Sequence, residues 1–210
     1  MGRIDLRAYI FLDRLQPQLT AFLGAGAPGL APAAGAASLL VEIAPGLIIH
    51  RLMDTALKAT SCRPAFKEVE REFGLMMVHD PDQGQVRAAG EAILGYLGLE
   101  VEERFRPRIT ANEIIRGVEP DHCQVINQGR TGSLVQPGES LFLLETLPAA
   151  CIALSANEAE KMAQFKLIDL NTFGAYGRLV LSGPESEIDS AAQAAVSILE
   201  SMSGIIARSG

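Results

Sequence analysis

Tryptophan is missing and aromatic residues make up only 5% of the chain, so its interior has to be built from Leu, Ile, Val and Ala. With 48% apolar residues over 210 positions, there is enough material for two such cores. Dense Lys/Arg runs are absent and the net charge is −7, which argues against a nucleic-acid footprint and against binding to anionic membranes. Cys62, Cys123 and Cys151 are odd in number and form no Cys-x-x-Cys, the pattern of free thiols in a reducing cytosol. No apolar run survives long enough to span a bilayer: the stretch from Leu19 to Ile49 is broken by Pro28, Pro32, Pro45 and several glycines. Met1 to Leu6 leads into a strand-like pattern without the apolar core of a signal peptide, and Leu6 does not fit a myristoylation pattern.

Signatures of catalysis are equally scarce. His50, His79 and His122 are scattered and show no metal-ligand spacing, so no metal or cofactor is expected. Gly24 to Gly29 is glycine-rich, but no Lys-Ser or Lys-Thr follows to reach a phosphate, so it reads as a turn. Its counterpart, Gly129-Arg130-Thr131-Gly132-Ser133, has a cation and hydroxyls that could meet an anion, although a polar surface turn suits it better. His122-Cys123 could be considered a nucleophile pair, but neighbours in sequence seldom face each other; a buried thiol beside a surface imidazole is the simpler reading. Glycine-flanked serine nucleophiles and paired helical carboxylates are also missing, so the chain is not expected to be an enzyme.

What the sequence does contain is a repeat. Ser38 to Lys58 reads as a buried strand, a Pro-Gly break and an amphipathic helix striped by Ile48, Ile49, Leu52, Met53 and Ala56. The same unit returns at Leu141 to Lys161. Glu42, Pro45, Ala56 and Lys58 each recur 103 positions later, as Glu145, Pro148, Ala159 and Lys161. Gly26, Gly29, Gly35, Gly74 and Pro81 keep the same shift, from about residue 12 to residue 97. A register held through loops as well as helices means a duplication, with domains at 1–103 and 104–210.

Within the first copy, Leu6–Leu12 and Ser38–Ala44 read as strands, and Gln16–Leu23 as a short helix with Pro17 near its start. Gly24–Gly35 reads as a loop, and Arg63–Glu72 as a weak strand suited to an edge. Leu75–Val78 reads as a buried strand, and Pro81-Asp82 opens a helix that places Val86, Ala89, Ile93, Tyr96 and Leu97 on one side. Each half therefore has about four strands and two main helices: an α/β fold, specifically an α+β sandwich with helices packed on a sheet.

Lys58 and Lys161 each close a helix, with Asp54 and Asn157 four residues before them. A lysine there is ordinarily favoured by the helix dipole. Its repetition at equivalent sites suggests use at a molecular edge.

The chain resembles the bacterial microcompartment shell proteins, in particular their tandem, circularly permuted trimer class and its carboxysomal members that stack two trimers. The resemblance covers almost the whole sequence. In the first half it is carried by Leu12–Leu19, His50-Arg51, Ala56–Ala59 and Val69–Gly74. In the second half it is carried by Pro120–His122, Ile126-Asn127, Gly132-Ser133, Leu144–Thr146, Ala156–Lys161 and Gly174–Leu179. The long N-terminal extension of the carboxysomal form is lacking, so the resemblance does not choose between a carboxysome and another compartment.

The resemblance implies a homotrimer whose six BMC domains mimic a hexagonal tile in a shell within the bacterial cytoplasm. Its implied partners are other hexameric and pentameric shell proteins, and small metabolites crossing a central pore. Lys58 and Lys161 match the family's edge lysines, and Glu70 and Arg71 its pore-gate pair; the 103-residue shift puts uncharged Phe173 and Gly174 at the equivalent rim. Three Arg71 guanidinium groups near an axis repel one another, and Glu70 offsets part of that repulsion, so open and closed arrangements are expected to lie close in energy. Two other classes fit the residues without the resemblance: a soluble duplicated α/β regulator binding a small molecule, and an enzyme using His122 and Cys123.

Overall fold

The computed structural model describes residues 4–25, 29–130 and 132–207. It divides into two units, Met1–Pro107 with Met202–Gly210, and Arg108–Ser201.

In the first unit, strand β1 (Asp5–Leu12) buries every second residue, as its alternating sequence requires. After β1 comes helix α1 (Pro17–Ala25), with proline in its first turn; it continues through Gly24 and Ala25, which the sequence placed in a loop. Strand β2 (Ala37–Ala44) is buried along nearly its whole length. A single tight turn, Gly46–Ile48, leads into helix α2 (Ile49–Ala59), whose Ile49, Leu52 and Ala56 face the interior. β3 (Arg63–Glu70) and β4 (Phe73–Asp80) form a hairpin, and helix α3 (Gln83–Leu97) follows, capped by the Asp82 carboxylate accepting from Gly84 N–H.

The sheet order is β1-β2-β4-β3, antiparallel throughout. β3 is therefore an edge strand, which explains its lack of a clean apolar face. Leu39, Val41, Ile43, Met76 and Val78 meet Ile49, Leu52, Val86, Ala89 and Ile93 in one core. Tyr96, expected on that apolar side of α3, is instead 43% exposed, while its neighbours Leu94 and Leu97 pack against the core.

In the second unit, β5 (Arg108–Ile115), α4 (Pro120–Asn127), β6 (Ser140–Leu147), α5 (Ile152–Met162), β7 (Lys166–Asn171), β8 (Gly177–Gly183) and α6 (Glu185–Ser201) repeat this order. Their sheet runs β5-β6-β8-β7. β1, β2, α2 and the start of β3 each recur 103 residues later. The glycine-rich loops share this geometry: Gly35 and Gly138 both have φ of 86°, a left-handed conformation that glycine adopts freely.

Relative to a division after residue 103, Arg104–Pro107 and the segment from Met202 group with the first unit. The cause is hydrogen bonding: Phe105 N–H donates to the carbonyls of Leu6 and Arg7, and Ile205 and Arg104–Arg106 exchange backbone bonds of 2.8 Å.

Candidate functional site

The residues singled out from sequence fall at two kinds of place, hairpin tips and helix ends. Glu70 is the last residue of β3 and pairs with Phe73, the first of β4, so only Arg71 and Glu72 turn the chain. Glu70, Arg71 and Glu72 are all exposed. Among the described residues Arg71 is the one non-glycine with positive φ, at 53°. A side chain in that conformation strains the backbone, so it calls for a reason.

The second unit's counterpart of Arg71 is Gly174, at φ 95°, so the turn keeps its left-handed residue in both copies. Phe173 and Gly174 are half-buried. Here the strand ladder ends earlier, at Asn171 and Arg178, and the Asn171 side chain accepts from Phe173 N–H at 3.2 Å. That side-chain bond satisfies the backbone where strand pairing has stopped.

Lys58 closes α2, is 75% exposed along its side chain, and donates to Asp54 at 2.9 Å. Lys161 closes α5 and donates to Glu158, three residues before it, at 2.8 Å. Asn157 is fully buried and donates to Glu158 at 3.3 Å, which places it behind the carboxylate. The two lysines thus share a station but differ in exposure, since the side chain of Lys161 is only 28% exposed.

The other candidates separate. Cys123 is buried and His122 exposed, on the same short helix, so they do not act as a pair. His79 is buried with Nε2 2.9 Å from the Leu30 carbonyl oxygen, while His50 is exposed with Nε2 3.2 Å from Lys67 Nζ. Arg130 is engaged within its own unit. It donates to the Ile126 and Ile168 carbonyls at 2.8 and 2.6 Å and lies 3.7 Å from Asp169. Gly26, Pro28 and Thr131 lie outside the described residues. Burial pushes the Cys62 thiol up, which makes it a poor nucleophile.

Two charged clusters escaped the sequence reading. In the first unit Arg7 Nε donates to the fully buried Glu42 at 2.5 Å, and its guanidinium lies 3.8 Å from the centre of the Phe73 ring. In the second, Glu145 accepts from Arg178 and from Thr110, each at 3.0 Å; these bonds, led by that from Arg178, hold its carboxyl below the usual glutamate range despite partial burial. A signal for the first was present: Glu42 is the one charge in strand β2, Arg7 interrupts the apolar run of β1, and charges set among buried strand residues are buried as pairs.

Two tandem copies of one α/β fold, each with its strand hairpin at the same station, are also the architecture of known shell proteins. A fused permuted hexameric shell protein from the RMM microcompartment superposes with TM-score 0.92 at 43% identity, over 96% of this chain and 99% of that one. A double-ringed trimeric shell protein from the same type of compartment gives TM-score 0.93 at 35% identity, over 98% and 100%. The fold is therefore that of a tandem, permuted BMC-domain shell protein. Residues 6–103 match the family described as the CsoS1D N-terminal domain. The carboxysome shell protein CcmP of Synechococcus elongatus is 44% identical over 96% of this chain and 94% of its own length. The chain belongs to this CsoS1D/CcmP family of microcompartment shell proteins, which are structural subunits and not enzymes.

Proposed function

We propose that the protein forms a pseudohexameric homotrimer, a tile with a gated central pore through which small metabolites pass. Residues 1–103 and 104–210 would supply alternate BMC domains around the ring. The hairpin tips of the first unit bring Glu70 and Arg71 to the threefold axis, and Phe173 and Gly174 of the second unit fill the sectors between them. Lys58 and Lys161 lie at the tile edges, against hexameric and pentameric shell proteins of the same shell. Two such trimers stack as a pair, a reading supported by likeness to a trimeric shell protein described as double-ringed.

The observation that carries the gate reading is the turn at Arg71. An exposed, charged, left-handed residue occupies the station where the duplicate uses glycine. Backbone strain retained at one copy of a duplicated turn points to a role for the arginine side chain. Three copies of a Glu-Arg-Glu turn at an axis repel in some rotamers and pair in others, so small ligands or neighbouring tiles bias the balance.

Ring closure has separate support from burial. Ala8 and Ile10 are fully buried in β1, whereas their counterparts Ala111 and Glu113 in β5 are exposed. On the same faces Leu40 and Met77 are closed off, while Leu143 and Val180 are half-open. In a ring of alternating copies, the open face of each second unit is covered by a neighbouring chain. Membership of a shell-protein family favours this reading over the duplicated small-molecule regulator.

An electron-microscopy map of the purified particle tests the proposal. Glu70 and Arg71 should line the centre, and replacing both with Ala should leave a permanently wide pore. A trimer with this turn at its outer perimeter would refute the gate.

A further inference from the structure

We infer that Arg7 is the positioning residue for the first-unit hairpin tip, acting through Phe73; as a statement about gating this rests on the reading above. The Arg7 side chain is only 11% exposed and Glu42, its partner, is 0% exposed. The guanidinium plane lies 3.8 Å from the Phe73 ring centre, with Phe105 at 5.9 Å beyond. Phe73 is the first residue after the turn, and its direct cross-strand partner is Glu70. Directly paired residues share a face of the sheet, so the ring that carries Glu70 as its neighbour is the ring on which Arg7 rests. A planar, delocalised cation is better suited to that stacking than an ammonium is.

The duplicate provides a comparison inside the same molecule. Thr110 replaces Arg7 and Tyr176 replaces Phe73. There the arginine comes from β8 instead, as Arg178, and the ladder stops at Asn171 and Arg178, the counterparts of Glu68 and Leu75. In the first unit pairing continues to Glu70 and Phe73. The longer, tighter hairpin is thus the one with an arginine stacked at its base. One buried nitrogen of Arg7, Nη2, has no acceptor. A group left unsatisfied in this way costs stability, so the arrangement is not optimised for folding alone.

Hydrogen exchange on the assembled full chain, read by mass spectrometry, tests this. In Arg7→Lys, peptides covering residues 69–75 should exchange at least about tenfold faster, while 171–177 and the α3 helix keep their protection. Phe73→Leu, a milder change should Arg7→Lys not assemble, should give the same selective pattern. Phe73→Tyr should restore wild-type protection, since it keeps a ring for the guanidinium. Unchanged exchange at the tip, or an equal loss across the whole first sheet, overturns the inference; the second outcome would mean that Arg7 is only a core residue. A particle map of the same samples judges the gate separately: a turn away from the axis refutes the gate reading, while exchange still decides the anchor.

Discussion

Glu42 and Glu145 stand 103 positions apart at the same station of their two sheets, yet they draw their arginines from opposite sides. Glu42 receives Arg7 from β1, and Glu145 receives Arg178 from β8. Thr110 stands where the first unit has Arg7, and Arg178 where it has Leu75, so the two arginines approach the carboxylate from opposite neighbouring strands. The first pair is buried and the second is open: Arg178 is 60% exposed. Their chemistry should differ accordingly.

Removing Arg7 takes a charged hydrogen bond away from a fully buried carboxylate. Arg7→Met should therefore destabilise the protein by about 3–5 kcal/mol, whereas Arg7→Met combined with Glu42→Leu should recover most of the loss. Urea unfolding midpoints of the two variants check this.

The Glu145 carboxyl titrates below its ordinary range, chiefly through the bond from Arg178. Its stabilising contribution is then complete above the ordinary glutamate range and is lost as pH falls through the lowered folded value. Arg178→Leu, which installs the first unit's residue, should return the carboxyl toward normal and flatten stability against pH in the acid region. Titration of the Glu145 side chain by NMR measures the shift directly.

Both hairpin bases depend on glycine for space. A Cβ on Gly74 would stand 2.3 Å from the Gly46 carbonyl oxygen, and one on Gly177 would stand 2.2 Å from that of Ala149. Since these are backbone atoms, Gly74→Ala and Gly177→Ala should each cost at least about 2 kcal/mol. Gly95, in the interior of α3, has nothing within 4 Å of such a Cβ, and Gly95→Ala should stabilise by about 0.5–1 kcal/mol. Thermal melts of the three variants separate the two cases.

Lys58 forms one exposed pair with Asp54, an interaction worth little in water. Lys58→Ala should leave stability within about 0.5 kcal/mol of wild type. If the lysine serves at a tile edge, the same variant should lose ordered sheets by electron microscopy, and intact sheets would remove Lys58 from that role.

Arg71→Gly relieves the left-handed backbone, so the tip should become more stable by about 1 kcal/mol while losing its charge. If Arg71 serves in a gate, the variant should melt higher while particle maps show its pore in a single width, and a pore unchanged from wild type would remove Arg71 from that role.

Much of the fold could be read from sequence because the repeat preserved what backbone geometry demands. Pro17 and Pro120 start equivalent helices, and Gly74 and Gly177 sit at equivalent close approaches. The apolar stripe of α2 needed only a period of 3.6. The candidate site was less accessible to sequence reasoning because it depends on contacts across strands. Nothing local to Arg7 names Phe73, 66 positions away, as the ring beneath it. Likewise nothing local announces that Asn157 is fully buried or that Glu158 accepts from the Lys161 ammonium.

Ile205 forms a parallel bridge to Phe105, 100 positions earlier, with Arg104 and Arg106 bonding to its backbone. On the ribosome this closure has to wait until all of Arg108–Ser201 has been made, roughly 5 to 20 s after Phe105 is added. The half that begins translation is thus the half that is finished last, and a chain cut off before Ile205 would hold every strand of both sheets yet lack the bridge that seals the first unit.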